Sequence, residues 1–316
     1  MDGSFGDRLA EMVRKRGTCV TVGLDPREDL LPESLLRKVG GKEGNPPRVK
    51  LAHAVEEFCK LTIEAVKDLV PAVKLQSAYF EVLGPVGFEC QRRIVTFARE
   101  AGLIVVLDAK RGDIASTAEA YAQAALAEGD AGVWQADAVT VNPYLGPDTL
   151  EPFLKYVRDQ GKGVFVLVRT SNPGAAELQE RQLVDGGTVA ELVASWVERW
   201  AAGTAGESGL GAVGAVVGAT ARAMLQQLRQ AMPHAWLLVP GYGAQGGVAG
   251  DVVPAAREDG LGVLVTSSRG ILSGAREAEA NGRRWETAVR ERTLRMIQEL
   301  KTALGGRASA VQPGPS

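Results

Sequence analysis

The segment LIVVLDAKRGD (residues 103–113) and the segment IASTAEAYAQAALAEG (114–129) that follows it contain the pattern from which the fold can be predicted. The first begins as a short, continuous apolar run, which is typical of a strand covered on both faces of a parallel sheet. The second has apolar residues at helical spacing. This part of the chain therefore predicts a strand followed directly by a helix.

The same strand-then-helix pattern occurs eight times along the chain. The predicted strands are 19–24, 72–76, 103–109, 138–143, 163–169, 211–219, 236–241 and 262–268. Eight such units in 316 residues predict an α/β fold, a single-domain (β/α)8 TIM barrel over residues 1–304. An open, doubly wound sheet is the structural alternative. Residues 22–26 (VGLDP) lack the glycine-rich dinucleotide loop that is usual for that fold.

Composition limits the function classes. Thirty-six basic residues against 38 acidic ones give a net charge of −2, so global charge does not indicate a nucleic-acid or membrane partner. The three widely spaced cysteines are typical of reduced thiols in a cytoplasmic protein. No apolar run approaches the roughly 20 residues of a membrane span. Two isolated histidines exclude a multi-histidine metal site. Residues 305–316 have the composition of a disordered tail.

Charged residues stand at the ends of the first three predicted strands, where barrels keep their catalytic groups. Asp108 and Lys110 are two apart on a strand and should face the same side. Lys74 comes from the neighbouring strand, and Asp25 follows strand one. An inward array of alternating charge is costly to desolvate and adds little stability, which favours a functional role. The alternative is a charged strand end that lies in solvent.

Two further positions have competing interpretations. Asp113 follows the third strand and either joins the charge array or caps the next helix; Ser116 and Glu119 also have capping-box spacing. Arg269 and Gly270 end strand eight, beside the glycine-rich loop after strand seven, and this is where barrels bind phosphate. The alternative for Arg269 is an unrelated surface arginine.

The pattern Asp108-x-Lys110-x-x-Asp113-Ile114-x-x-Thr117 resembles the signature of the orotidine 5′-phosphate decarboxylase family. The resemblance extends from about Thr18 to Gly274, and segments 27–49, 176–187 and 202–211 resemble the insertions of its longer bacterial (type 2) subgroup. It implies that Asp108, Lys110 and Asp113 are the catalytic carboxylate, the catalytic lysine and a second carboxylate. Lys74 would touch both the ribose and the charge array.

The resemblance also implies substrate-binding positions. These are Asp25 at the ribose, Ile114 and Thr117 beside Asp113, Ser171 and Pro173 of the Ser-Asn-Pro-Gly stretch at the pyrimidine, and Gln245, Arg269 and Gly270 at the phosphate. It further implies a pyrimidine-nucleotide substrate, no metal or other cofactor, and a homodimer in which Asp113, Ile114 and Thr117 reach the neighbouring subunit's site.

The implied reaction is decarboxylation of orotidine 5′-phosphate in pyrimidine biosynthesis, with Lys110 stabilising a carbanion and then donating a proton. A metal-dependent sugar-phosphate decarboxylase or aldolase of a related barrel is one alternative, but Lys74 would oppose a Mg²⁺ ion. A non-catalytic phosphate-binding barrel is the other, and it would have no need of the charge array.

Overall fold

Eight parallel strands close into a barrel in which each strand pairs with its neighbours in the sequence. The computed structural model describes residues 3–40, 46–219, 222–243 and 246–305. Strand β8 pairs with β1 and completes the ring. The predicted (β/α)8 barrel is therefore confirmed, and the open-sheet alternative is wrong.

The strands occupy the predicted places with somewhat different ends. They are β1 Val20–Leu24, β2 Ala72–Gln76, β3 Ile104–Arg111, β4 Ala138–Val141, β5 Gly163–Arg169, β6 Val213–Val217, β7 Leu237–Pro240 and β8 Val263–Ser267. Strand β3 runs two residues beyond its predicted end. Strand β4 stops two residues early, just before Asn142 and Pro143; proline has no N–H to give to a strand ladder.

Helices surround the barrel because, after each strand, the chain must cross back along the outside of the barrel before the next parallel strand begins. In the described residues they are α1 Phe5–Arg16, α2 Glu33–Gly40, α3 Pro47–Val66, α4 Ala78–Glu81, α5 Pro85–Glu100, α6 Ala115–Leu126, α7 Glu151–Gln160, α8 Ala175–Gln179, α9 Val189–Ala202, α10 Arg222–Ala231, α11 Ala249–Val252, α12 Arg269–Leu272, α13 Gly274–Ala280 and α14 Trp285–Ala303. None of them is both long enough and apolar enough to cross a membrane.

Helix α1 covers the amino end of the barrel. Phe5 is buried and packs edge-to-face on Phe165 of β5, with 6.0 Å between the ring centroids. A side chain at Gly163 would not fit, because its Cβ would lie 2.5 Å from the Phe5 ring. This end of the barrel is therefore closed by packing, and the carboxyl end is left for a site. The predicted disordered tail, except Gly305, lies outside the described residues.

Candidate active site

A cavity of about 380 Å³ opens at the carboxyl ends of the strands. Its lining includes six of the predicted site residues: Asp25, Lys74, Asp108, Lys110, Ser171 and Arg269. Larger cavities, of about 510 and 940 Å³, lie at the amino end. In the 510 Å³ cavity Arg8 pairs with Asp137 and Lys162 pairs with Glu128. The smaller cavity is the better candidate, because barrel enzymes keep their chemistry at the carboxyl end.

The carboxylate of Asp108 is the centre of the charge array. It is buried and accepts four hydrogen bonds. Oδ2 receives Lys74 Nζ at 2.7 Å and Gln76 Nε2 at 3.0 Å, and Oδ1 receives Lys110 Nζ at 2.6 Å and the Thr140 hydroxyl at 2.9 Å. Burial disfavours the charged form, but the two ammonium groups outweigh it and hold the pKa of Asp108 well below its usual range. Asp108 is therefore ionised at neutral pH.

Lys74 connects Asp108 to Asp25. Its ammonium lies 2.7 Å from Asp108 Oδ2 and 3.7 Å from Asp25 Oδ1. Burial by itself would lower the pKa of Lys74, but the two nearby carboxylates have the larger, opposite effect. The pKa of Lys74 therefore lies above the usual value. Within the described part of the chain, Asp25 Oδ1 is buried without a hydrogen-bond partner. It is thus available to a ligand hydroxyl, as the ribose role requires.

Lys110 reaches Asp108 by a different backbone path from the one expected. Its φ of 48° lies in the left-handed region, so β3 is not a regular strand there. Asp108 and Lys110 therefore do not meet as same-face neighbours on a regular strand. The side chain of Lys110 is 42% exposed, which makes it the accessible cation of the array. It can face a bound substrate while keeping its contact with Asp108.

Two side chains that donate hydrogen bonds to Asp108, Gln76 and Thr140, were not predicted from the sequence. Gln76 comes two residues after Lys74 on β2 and lies opposite Asp108 in the β2–β3 register. Strand periodicity could have indicated it. Thr140 lies in the middle of β4 and is completely buried. A single threonine in an apolar strand gives no comparable signal.

The predicted pyrimidine and phosphate positions are only partly brought together. Ser171 and Arg269 line the cavity, whereas Pro173 and Gly270 do not and are exposed. Gln245 lies outside the described residues.

The loop after β5 is held at its base. Arg169 Nη2 lies 2.8 Å from a Glu180 carboxylate oxygen, and the Thr170 N–H donates to Gln179 Oε1 at 2.8 Å. These contacts close the loop that carries Ser171 and Pro173, so its two ends stay together at the mouth of the cavity.

Asp113, Ile114 and Thr117 lie outside the cavity of their own chain. Among the described residues, no ion pair joins Asp113 to a lysine of the array, and its carboxylate accepts the N–H of Ile114 at 2.8 Å. Helix α6 begins at Ala115 without a side-chain cap, so neither the Asp113 cap nor the Ser116 capping box is formed. Ile114 is 59% exposed.

The donor set does not resemble a metal site. In the part of the chain that the structure describes, no three carboxylate, imidazole or thiol groups converge. At the centre of the array, Lys74 and Lys110 already occupy both oxygens of Asp108. A divalent cation at Asp108 would be repelled by two ammonium groups.

Comparison with known proteins agrees with this geometry. Residues 18–284 match the model of the "Orotidine 5′-phosphate decarboxylase / HUMPS family". The chain belongs to this family. A relative named orotidine 5′-phosphate decarboxylase from Rhodopirellula baltica is 45% identical over 304 residues, covering 94% of this chain and 99% of the relative. A Clostridium botulinum protein of the same name is 37% identical over 295 residues, covering 93% and 98%.

A solved structure gives the same result. The Leishmania donovani OMP decarboxylase has 33% identity and a TM-score of 0.73, covering 96% of this chain and 99% of that one. The three proteins carry the first of the two names in the family description. The resemblance seen in the sequence is therefore confirmed, as is the prediction that the chain is a decarboxylase of this family.

Proposed function

We propose that the protein converts orotidine 5′-phosphate to uridine 5′-phosphate and carbon dioxide in pyrimidine biosynthesis. The observation that carries this proposal is the Lys74–Asp108–Lys110 array in a cavity at the carboxyl end of a barrel of this family. Such an array costs desolvation energy and is a poor way to stabilise a fold. A non-catalytic phosphate-binding barrel would have no need of it.

Lys110 supplies the main catalytic interaction. When the bond between carbon 6 and the carboxylate breaks, its electron pair stays on carbon 6, in the plane of the pyrimidine and without a conjugated sink. An ammonium at about 4 Å stabilises that charge by roughly 4 kcal/mol at an effective dielectric constant of about 20. Lys110 then donates a proton from Nζ to carbon 6 and recovers one from solvent.

Asp108 acts on the departing group. It stays ionised in the site, so it repels the substrate carboxylate, and this repulsion ends when neutral carbon dioxide forms. Lys74 keeps Asp108 charged and, with Asp25, faces the ribose.

Substrate binding uses the remaining positions that the sequence predicts. Ser171 and Pro173 contact the pyrimidine, and Arg269, with Gln245 and Gly270, holds the phosphate. A guanidinium offers two parallel N–H donors that match phosphate oxygens. Binding energy from this remote group orders the loops around the reacting carbon.

Asp113, Ile114 and Thr117 complete the site of a second copy in a cytoplasmic homodimer. Their position outside their own cavity, with Ile114 and Thr117 exposed and Asp113 half-buried, supports this assignment. Exposed apolar side chains accompany them at the same end of the barrel: Tyr144, in the adjacent loop after β4, is 76% exposed, and Leu145 is also exposed. The loops are neighbours, since the Asn142 N–H donates to the Arg111 carbonyl at 2.7 Å.

The three free, buried cysteines are compatible with a reducing compartment.

Turnover of orotidine 5′-phosphate, followed by ultraviolet absorbance, tests the activity. Purified protein should act at the same rate before and after exhaustive treatment with a chelator. Loss of activity that Mg²⁺ restores would favour a metal-dependent decarboxylase or aldolase instead. Phosphate binding without turnover would favour the non-catalytic barrel.

Mixed dimers test the shared site. Asp113→Ala and Lys110→Ala should each be nearly inactive alone. In a heterodimer, one site lacks both groups and the other is intact, so mixing should restore activity towards one working site per dimer. If mass spectrometry shows subunit exchange but the mixture stays inactive, Asp113 does not serve the partner's site.

A further inference from the structure

Thr140 occupies a special place in the barrel, opposite the catalytic segment of β3. In the β3–β4 register Leu107 pairs with Val139, and the next pair is Arg111 with Val141. Three residues of β3, from Asp108 to Lys110, therefore lie opposite one residue of β4. A bulge of this kind interrupts the backbone ladder and redirects side chains. Here the gap in the register lies beside the Lys110 N–H.

The hydroxyl of Thr140 fills that gap. It accepts the Lys110 N–H at 2.9 Å and donates its own hydrogen to Asp108 Oδ1 at 2.9 Å. The side chain is fully buried, so water does not replace these bonds. A threonine hydroxyl has one donor and can accept as well, and both functions are used here. One atom thus connects the main chain of Lys110 to the carboxylate of Asp108.

This connection matters because the conformation of Lys110 is unfavourable by itself. A non-glycine residue at φ 48° persists only where its surroundings hold it. A buried N–H that loses its acceptor also costs free energy. Without the hydroxyl, the backbone of Lys110 would relax towards a regular strand, and its ammonium would move relative to Asp108.

We propose that Thr140 is a positioning residue that fixes the backbone of Lys110 relative to the carboxylate of Asp108. It does not touch the reacting atoms; it acts through the two groups that do. The proposal rests on the proposed function, in which Lys110 faces carbon 6 of the substrate. It goes further by assigning the placement of Lys110 to a residue outside the charged array.

Three variants at this position separate the hydroxyl from the shape of the side chain. Thr140→Val keeps the shape and removes the hydroxyl, Thr140→Ser keeps the hydroxyl, and Thr140→Ala removes both. We expect Val and Ala to lower kcat by about 10- to 100-fold with KM within about threefold, and Ser to stay within about threefold of wild type. Thr62→Val is the matched control, because Thr62 is also fully buried but lies on α3.

A second measurement follows Lys110 directly. NMR can monitor the exchange of the carbon 6 proton of uridine 5′-phosphate in deuterium oxide. This exchange reports proton transfer without decarboxylation. In Thr140→Val this exchange should slow by about the same factor as kcat, since both use the same ammonium. A purely structural role of Thr140 would leave the exchange rate per folded molecule unchanged.

The outcomes decide the proposal. It is overturned if Thr140→Val, folded by circular dichroism, keeps wild-type kcat and exchange, or if Ser is as slow as Val. It is also overturned if neither Val nor Ala folds, because the hydroxyl then serves folding. An inactive wild-type protein would overturn this proposal together with the proposed function. An active wild type with a neutral Val variant overturns this proposal alone.

Discussion

Lys74 and Lys162 are two almost fully buried lysines at opposite ends of the same barrel, with side chains 7% and 2% exposed. Lys74, at the carboxyl end, faces the buried Asp108 and the half-buried Asp25, and its pKa is raised. Lys162, just before β5 at the amino end, contacts the half-exposed Glu128 and donates to the Ala136 carbonyl at 2.9 Å. Burial outweighs these partners and lowers the pKa of Lys162.

The difference shows that burial alone does not identify a functional lysine. What distinguishes Lys74 is that its carboxylate, Asp108, is itself buried and also binds a second cation, Lys110, that opens to the cavity. At the amino end Lys162 shares the half-exposed Glu128 with Arg99, and Arg8 pairs with Asp137; these contacts link α1 and α5 to the segments before β4 and β5. We therefore expect changes at the two ends to affect different properties of the protein.

The largest expected effect is the loss of activity when the charge of Lys74 is removed, with removal of the charge of Lys162 as the comparison. Lys74→Met should lower kcat/KM for orotidine 5′-phosphate by about 10³-fold, because Asp108 loses one of its cations and the ribose loses a contact. Lys162→Met should leave turnover within about threefold of wild type, since the site is at the other end. Steady-state kinetics on both variants checks this. Comparable activity losses would show that the ends are not independent.

The second comparison concerns arginines. Arg269→Ala should lower kcat/KM for the phosphorylated substrate by about 100-fold and have little effect on orotidine without phosphate. Arg257→Ala, at the amino-end cleft, is the matched control and should leave both substrates unaffected. Equal losses for the two substrates in Arg269→Ala would indicate structural damage and remove Arg269 from the phosphate site.

The pH dependence of stability should differ in sign for the two lysines. The pKa of Lys162 is lowered in the folded protein, so the unfolded chain binds this proton more tightly. The contribution of Lys162 to the free energy of unfolding therefore increases as pH rises towards 10.5, the ordinary pKa of a lysine. The raised pKa of Lys74 means the opposite. Its contribution is fully present below 10.5 and is lost as pH rises through its folded-state value.

Urea unfolding of wild type, Lys74→Met and Lys162→Met across alkaline pH measures these contributions. The stability of wild type relative to Lys162→Met should increase towards pH 10.5, and its stability relative to Lys74→Met should decrease above that value. Slopes of the same sign would contradict the contrast between the two environments.

The smallest effect concerns a polar residue at the carboxyl end that has no part in the site. Thr188 caps α9, with its hydroxyl accepting the Glu191 N–H and the Glu191 carboxylate accepting the Thr188 N–H. Thr188→Ala should cost about 1 kcal/mol of unfolding free energy and leave turnover unchanged. Thr96→Ala, inside α5, is the control and should cost less. A large loss of activity in Thr188→Ala would mean that the loop before α9 contributes to catalysis.

The barrel and the main charges of its site could be predicted from the sequence alone. Strand runs and helical spacing are local properties that repeat along the chain, so eight units were visible without any long-range information. Lys74 and Asp108 were predictable for the same reason, because charged residues at strand ends interrupt an apolar pattern.

The way in which these groups meet is set by contacts between strands that are distant in the sequence. The bulge opposite Thr140 and the left-handed conformation of Lys110 depend on the register between β3 and β4, which no local pattern encodes. The different states of Lys74 and Lys162 likewise depend on which carboxylates the fold brings near each ammonium. A pKa reflects the balance of desolvation and nearby charge, and both are set by residues that are distant in the sequence.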